Sequence, residues 1–380
     1  MIWYIQVGSI MEKMAEKYRV YEDRIGINCF YDSIVCLLEL KQRTLRALDF
    51  VHHRFLYSYD SFMSFYKECS LEELLSPTDK YFFIKDELLN LKYKKDYITQ
   101  TKHEYQESLG KYISSSYFSE FFIDEIKKKD FNYFPISLRV NPMAYSEFYV
   151  KHDCIVPRSD CVHRVNICEI DKMNDRAWII DRGFACWGEW IDLKELYKGV
   201  IDEWAVEDDK VSYLSLSMQC TKVTFDDVVN ILKNNMKATL GKSVVINGNQ
   251  YLVNEPALME FKKDFHDLIF ELEQESFGYA GQILGEAFVQ HVDETRGMSY
   301  LYELANNVVS MKQIEELVGL FEQYNKLWCQ FESLLRISVY KGESIKEREK
   351  DFIILISQMI ECNDKIEHDM ENLLYIIEKI

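Results

Sequence analysis

The sequence is poor in the residues that interrupt regular structure. Of its 380 residues only 14 are glycine and 5 are proline, whereas 25 are tyrosine and 23 are phenylalanine. A chain so rich in aromatic residues can bury a large core, and its composition is unlike that of disordered proteins. At roughly 150 residues per domain, the length allows two to three folding units. We therefore predict a compact, helix-rich protein and exclude a small disulfide scaffold.

Basic residues are also in deficit. The chain has 45 lysine and arginine residues against 63 aspartate and glutamate residues, which gives a formal net charge of −18. Binding to a nucleic-acid backbone requires clustered positive charge that neutralises phosphates. We therefore expect no DNA or RNA partner.

Long apolar runs are missing as well. Residues 352–356 form an apolar run far shorter than the roughly 20 residues that cross a bilayer. The first residues lack the basic region and apolar stretch of a signal peptide. We therefore expect a cytoplasmic protein with no membrane partner, and reduced thiols for its ten cysteines.

The pattern of apolar residues changes along the chain. Strand-like runs occupy residues 134–140, 162–170, 176–181 and 210–217, and residues 244–246 and 251–253 suggest a small hairpin. Helical spacing dominates residues 29–51, 70–75, 117–129, 224–237, 257–277, 281–309, 311–339 and 345–380. This order predicts an α+β domain over residues 1–217 and a mainly helical domain over residues 218–380.

One cysteine occupies a special position. Gly26 and Asn28 resemble a turn and a cap before the helix predicted over residues 29–51, so Cys29 lies at or near the helix N-terminus. The N–H groups and the dipole of a helix N-terminus favour an anion, here a thiolate. Cys29 is therefore the candidate nucleophile.

A histidine and an aspartate lie on the predicted hairpin downstream. His163 is in its first strand and Asp181 ends its second strand, with a turn over residues 171–175. We expect the two residues to be opposite each other or one pair apart, close enough for the carboxylate to orient the imidazole. Taken singly, a buried structural thiol, a structural histidine and a turn aspartate are the default interpretations. The combined order favours a Cys-His-Asp triad.

A metal site is the competing interpretation of the same region. His152, Cys154, Cys161, His163 and Cys168 are potential ligands. Their spacing does not match the paired ligands and longer spacer of structural zinc sites. We therefore expect thiols on strands and no bound metal.

The segments that carry the triad also carry a resemblance. Residues 26–38, 134–141, 162–171 and 178–182 resemble the papain-like cysteine fold of the butirosin-biosynthesis acyltransferase family, which is itself similar to the bacteriocin-processing peptidases of ABC transporters. The resemblance covers about the first 215 residues, and the helical half resembles the region that follows in that family. It implies a papain-like cysteine-protease fold with a C-terminal helical domain that covers the substrate channel.

The resemblance implies acyl transfer as the activity. Members of the family move an acyl group from a carrier-protein thioester to an amine through an acyl-cysteine, and papain-like amide synthetases of clostridial thiotemplated pathways, of the closthioamide type, are a related case. The expected substrates are an acyl or peptidyl carrier protein with its phosphopantetheine arm and a small amine acceptor. We expect an amide synthetase of antibiotic biosynthesis with no bound cofactor. No phosphate-binding glycine motif is present, so no ATP is needed.

Two further sets of residues complete the hypothesis. Papain-like peptidases place a glutamine shortly before the cysteine as an oxyanion donor, but residues 21–28 contain none. Asn28 and the Cys29 N–H are the candidate donors instead. Docking of an acidic carrier protein requires basic side chains on this chain. Local groups of lysines are the candidates for this contact, or else they form only a solvated face. These lysines are Lys92, Lys94, Lys95, Lys127, Lys128 and Lys129.

Two other functions stay open at this point. A cysteine peptidase or amidase would use the same triad to hydrolyse an amide or a thioester. A non-catalytic binding protein could retain the fold without the reaction.

Overall fold

A computed structural model describes most of the chain from residue 29 onward. The described residues are 29–40, 44–49, 53–60, 63, 135–157, 160, 163–200, 202, 213–215, 223–246, 249–275 and 280–379. The helices predicted over residues 70–75 and 117–129 lie outside them.

The described residues combine helices with small antiparallel sheets, which is an α+β composition. The helices are α1 (Cys29–Leu40), α2 (Ser146–Lys151), α3 (Leu193–Val200), α4 (Phe225–Thr239), α5 (Glu255–Glu275), α6 (Ala280–Val309), α7 (Lys312–Lys341) and α8 (Glu349–Ile377). The strands are β1 (Leu56–Tyr57), β2 (Ile136–Val140), β3 (His163–Asp171), β4 (Arg176–Asp181), β5 (Cys186–Asp192), β6 (Tyr213–Ser215), β7 (Ser243–Ile246) and β8 (Asn249–Val253). Short 3₁₀ helices occupy Thr44–Asp49, Pro142–Tyr145, Arg182–Phe184 and Ile345–Arg348.

The chain forms two compact units that are not contiguous in sequence. The first contains the described residues 29–44 and 135–215, and the second contains residues 45–63 and 223–379. The predicted domains, residues 1–217 and 218–380, were each contiguous in sequence. The predicted first domain also included residues 45–63, which the structure groups with the second unit.

The first unit is built on a five-stranded antiparallel sheet with the order β5-β4-β3-β2-β6. Neighbouring residues of a strand point to opposite faces. Val165, Ile167 and Ile179 are buried on one face together with residues of α2 and α3. Trp178 and Ile180 are buried on the other face with Cys36 of α1. Helices thus cover both faces of the sheet.

Strand β5 was not predicted, because its sequence alternates poorly between apolar and polar residues. Its residue Gly188 has a φ of +134°, and a Cβ there would lie 2.6 Å from Trp178 Cζ2. Only glycine fits this combination of backbone conformation and close approach. The ring of Trp190 packs edge-on against Trp178 at 5.4 Å, which holds the edge strand to its neighbour.

The second unit packs a three-stranded sheet, β1-β8-β7, with α4 to α8. Strand β1 belongs to this unit because Leu56 and Tyr57 pair with β8. The ring of Phe55 contacts Phe261 and Trp328. This aromatic packing explains why residues 53–57 belong to the second unit.

The helix predicted over residues 29–51 is divided in the structure. Helix α1 ends at Leu40, and Thr44–Asp49 forms a 3₁₀ helix. Leu45 and Leu48 are buried, and the Leu48 carbonyl accepts a hydrogen bond from Asn235 Nδ2 at 2.7 Å. The apolar residues whose spacing suggested one helix therefore belong to the cores of two different units.

Candidate functional site

The hairpin of β3 and β4 forms as predicted, and a bulge sets its register. Asp171 pairs with Arg176 next to the turn, but the register shifts between Ile167 and Glu169. Cys168 is the extra residue, so two residues of β3 oppose one of β4. Beyond the bulge, Asn166 pairs with Ile180.

The bulge brings His163 and Asp181 to the same face of the sheet. Continuing the register beyond Asn166, Asp181 faces Val165, and His163 is two residues further along β3. Without the bulge, Asp181 would face Asn166, and His163 would point to the opposite face. The two residues are therefore diagonal neighbours on adjacent strands. Diagonal neighbours of this kind are within reach of long side chains.

His163 and Asp181 form a buried hydrogen-bonded pair. His163 Nε2 lies 2.8 Å from Asp181 Oδ1, and the two residues are 7% and 1% exposed. Because an ionised carboxylate only accepts hydrogen bonds, Nε2 carries the proton in this pair. The carboxylate fixes the ring orientation. Two of the three predicted triad residues are thus brought together.

Tyr149 is a third member of this network that the sequence did not reveal. Its hydroxyl donates to Asp181 Oδ2 at 2.6 Å, so both carboxylate oxygens are hydrogen-bonded. Burial and the nearby charge of Asp181 raise the pKa of Tyr149 well above its ordinary value. Tyr149 therefore stays protonated and remains a donor to Asp181 across the physiological range.

The segment after Asp181 confines the imidazole. A Cβ added at Gly183 would lie 2.8 Å from His163 Cε1, so a larger residue would displace the ring. The ring of Phe184 packs edge-on against His163 with 4.8 Å between centroids. The sequence signal for this arrangement was the Gly183-Phe184 pair, which follows Asp181 after one intervening residue, Arg182.

Helix α1, which carries Cys29, packs against the same sheet. Cys36 is buried with Cys168, Trp178 and Ile180. The Glu39 carboxylate and the Arg182 guanidinium form a buried ion pair at 3.4 Å, and Arg182 directly follows Asp181. The helix is thus linked to the end of the sheet where the His163–Asp181 pair lies.

Several predicted site side chains lie outside the described part of the structure. The described part of α1 starts at Cys29, and the side chains of this helix are described only from residue 35 onward. Cys29 is seven positions before Cys36, which corresponds to an axial rise of about 10 Å along a helix. The remaining predicted site residues lie outside the described residues; they are Asn28, Lys92, Lys94, Lys95, Lys127, Lys128 and Lys129.

The potential metal ligands have other partners where the structure describes them. His152 Nδ1 lies 3.1 Å from Glu189 Oε2, and the Cys154 thiol donates to the His152 carbonyl at 3.5 Å. In the described residues, no group of three or more histidine, cysteine or acidic side chains is arranged to hold a metal ion. Cys161 lies outside that part of the chain.

Comparison with known proteins does not identify a relative. No protein-family model matches the chain, and no curated protein matches it. None of the helices in the described ranges combines the length and apolar character needed to cross a membrane. Any function is therefore inferred from the residues of the chain itself.

Proposed function

We propose that this protein is a papain-like cysteine acyltransferase that forms amides in natural-product biosynthesis. In this proposal, Cys29 accepts an acyl group from a carrier-protein thioester and passes it to an amine without ATP. The observation that carries the proposal is the buried His163–Asp181 pair, with 2.8 Å between Nε2 and Oδ1. An imidazole oriented by a carboxylate is the base that a nucleophilic cysteine requires.

The protonation pattern of the pair defines the role of each nitrogen. Since Nε2 of His163 donates to Asp181, Nδ1 is the atom that exchanges a proton with the thiol of Cys29. The thiolate attacks the thioester carbonyl, and the carrier thiol leaves with the proton held by His163. His163 then removes a proton from the incoming amine, which attacks the acyl-cysteine and releases the Cys29 thiolate.

Amide formation requires that water does not reach the acyl-cysteine before the amine. The low exposure of His163, at 7%, supports a base that is screened from bulk water. Phe184 covers one side of the imidazole. Limited access for water and a positioned amine together favour transfer over hydrolysis.

The contacts to the carrier stay part of the proposal. A carrier protein is acidic and its prosthetic arm carries a phosphate, so basic side chains are required on this acidic enzyme. The candidates are the two lysine groups at residues 92–95 and 127–129. Asn28 and the Cys29 N–H would stabilise the oxyanion of the tetrahedral intermediate.

The decisive experiment is intact-protein mass spectrometry after incubation with acyl-loaded carrier protein. We expect a mass adduct of one acyl group that is absent in Cys29→Ala and slow to form in His163→Ala. Cys362→Ser is the matched control, since this buried thiol hydrogen-bonds to the Leu320 carbonyl in the second unit, and its adduct should form at the wild-type rate. No adduct on the wild-type protein would refute the proposal.

Addition of an amine separates transfer from hydrolysis. Appearance of an amide product with loss of the adduct supports the synthetase, whereas release of free acid alone identifies a hydrolase. An alkylating probe tests the non-catalytic alternative. If Cys29 reacts no faster than Cys36 or Cys69, the chain is a binding protein that retains the fold.

A further inference from the structure

Tyr149, which hydrogen-bonds to Asp181, is packed against a second buried tyrosine. Tyr145 lies four positions earlier, at the end of the 3₁₀ helix that leads into α2. The two tyrosine rings are stacked, with 5.5 Å between centroids and an interplanar angle of 26°, and their hydroxyl oxygens are 3.3 Å apart. Both side chains belong to the buried core of the first unit.

The direction of these hydrogen bonds follows from the charge of Asp181. An ionised carboxylate only accepts, so the single hydroxyl proton of Tyr149 lies toward Asp181 Oδ2, at 2.6 Å. The Tyr149 oxygen is then the acceptor in the contact between the two phenols, and the Tyr145 hydroxyl is the donor. A buried chain of hydrogen bonds therefore begins at Tyr145 and ends at the His163 ring. Hydrogen bonds in such a chain polarise and strengthen one another.

A glycine near the end of α3 makes room for the ring of Tyr145. A Cβ added at Gly199 would clash with that ring and would lie 2.7 Å from the Asn141 carbonyl oxygen. The Gly199 backbone is not among those with positive φ, and glycine destabilises a helix relative to alanine. Space for Tyr145 is therefore the reason for a glycine at this position. The Asn141 N–H donates to the Gly199 carbonyl at 2.8 Å, which holds α3 against the segment that carries Tyr145.

We propose that Tyr145 is a positioning residue of the His163–Asp181 site. By donating to the Tyr149 oxygen, its hydroxyl keeps the Tyr149 proton directed at Asp181 Oδ2. The carboxylate is then fixed, with Oδ1 as the oxygen that meets His163 Nε2 at 2.8 Å. The consequence for acyl transfer rests on the proposed function, whereas the consequence for the histidine hydrogen bond does not.

The histidine hydrogen bond is measured on the resting full-length protein by proton NMR. The signal of the His163 Nε2–H is assigned by its loss in His163→Gln, and its exchange with water is followed at neutral pH. We expect exchange to be at least about tenfold faster in Tyr149→Phe, which removes a donor to a charged group, and about threefold faster in Tyr145→Phe, which removes a neutral donor. Both substitutions keep the ring, so a residue that only fills the core would leave exchange unchanged.

Two further variants complete this measurement. Tyr302→Phe is the matched control, because its buried hydroxyl donates to Asn235 in the second unit, and it should exchange at the wild-type rate. Gly199→Ala displaces the Tyr145 ring and should accelerate exchange at least as much as Tyr145→Phe. An unchanged exchange rate in Tyr145→Phe would overturn the proposal, whether or not Gly199→Ala folds.

A kinetic measurement separates this proposal from the proposed function. In Tyr145→Phe we expect acyl-adduct formation at saturating acyl-carrier protein to be about threefold slower, with an unchanged half-saturating concentration, since a buried positioning residue does not bind the carrier. A wild-type adduct rate in a variant with faster N–H exchange would refute the effect on acyl transfer. If the wild-type protein forms no adduct, the acyltransferase proposal fails, while the role of Tyr145 is judged by N–H exchange alone.

Discussion

Replacement of Tyr149 by phenylalanine probes the network around Asp181 most directly. The substitution removes one hydroxyl that donates to Asp181 Oδ2 at 2.6 Å and keeps the ring in place. A hydrogen bond to a charged group contributes about 1.5 to 3 kcal/mol. Asp181 is only 1% exposed, so water cannot replace the lost donor without a rearrangement. We expect the free energy of unfolding to fall by about 2 to 3 kcal/mol.

Tyr302→Phe is the matched control for this measurement. Tyr302 is as fully buried as Tyr149, but its hydroxyl donates to the neutral Asn235 Oδ1 at 3.1 Å. A neutral hydrogen bond contributes only about 0.5 to 1.5 kcal/mol. Urea denaturation at neutral pH, with the m-value checked for constancy, gives both free energies. Equal losses for the two variants would refute the assignment of Tyr149 as a donor to a buried charge.

Three further changes test other parts of the molecule. In Gly183→Ala the new Cβ would lie 2.8 Å from His163 Cε1, so the rate of acyl-adduct formation should fall on the order of 100-fold. Gly241→Ala is the control, because a Cβ there meets nothing within 4 Å, and this variant should keep the wild-type rate. Thr224→Ala removes the capping box of α4 and should cost about 1 kcal/mol in urea denaturation, whereas Thr224→Ser should be nearly neutral. Partial burial opposes ionisation of Asp171, but hydrogen bonds from Arg176 and Asn174 lower its pKa to about 2. The pKa of Asp171 is lower in the folded than in the unfolded state, so the ionised carboxylate stabilises the fold at neutral pH. Asp171→Asn should therefore lower the free energy of unfolding by about 1 kcal/mol at pH 7 after screening by solvent. The difference from the wild type should shrink as the pH falls and vanish only below a pH of about 2; a difference that does not change with pH would contradict this.

Long helices of the second unit were predictable from the sequence. The apolar spacing over residues 281–309 and 311–339 predicted helices that the structure has at Ala280–Val309 and Lys312–Lys341. A helix of this length repeats its apolar positions over many turns, so the pattern is clear even without tertiary information. The hairpin of β3 and β4 was equally predictable, because its turn residues separate two β-rich runs.

The features that sequence reasoning missed depend on contacts between distant segments. Strand β5 has a weak pattern of its own and is held by pairing with β4 and by the contact of Trp190 with Trp178. Residues 53–57 lie early in the chain but pack with Phe261 and Trp328 of the second unit. No local pattern encodes a partner that is hundreds of residues away.

The sequence alone determined the identities of the candidate catalytic residues and the type of element on which each lies. Cys29 lies on a helix, and His163 and Asp181 lie on the two strands of one hairpin. The tertiary structure decided how the histidine and the aspartate meet. The bulge at Cys168 changes the strand register by one residue, and one residue is the difference between the same face of the sheet and the opposite one. Burial against α2 then added Tyr149 to the pair, because the donor comes from a helix whose position only the packed core defines.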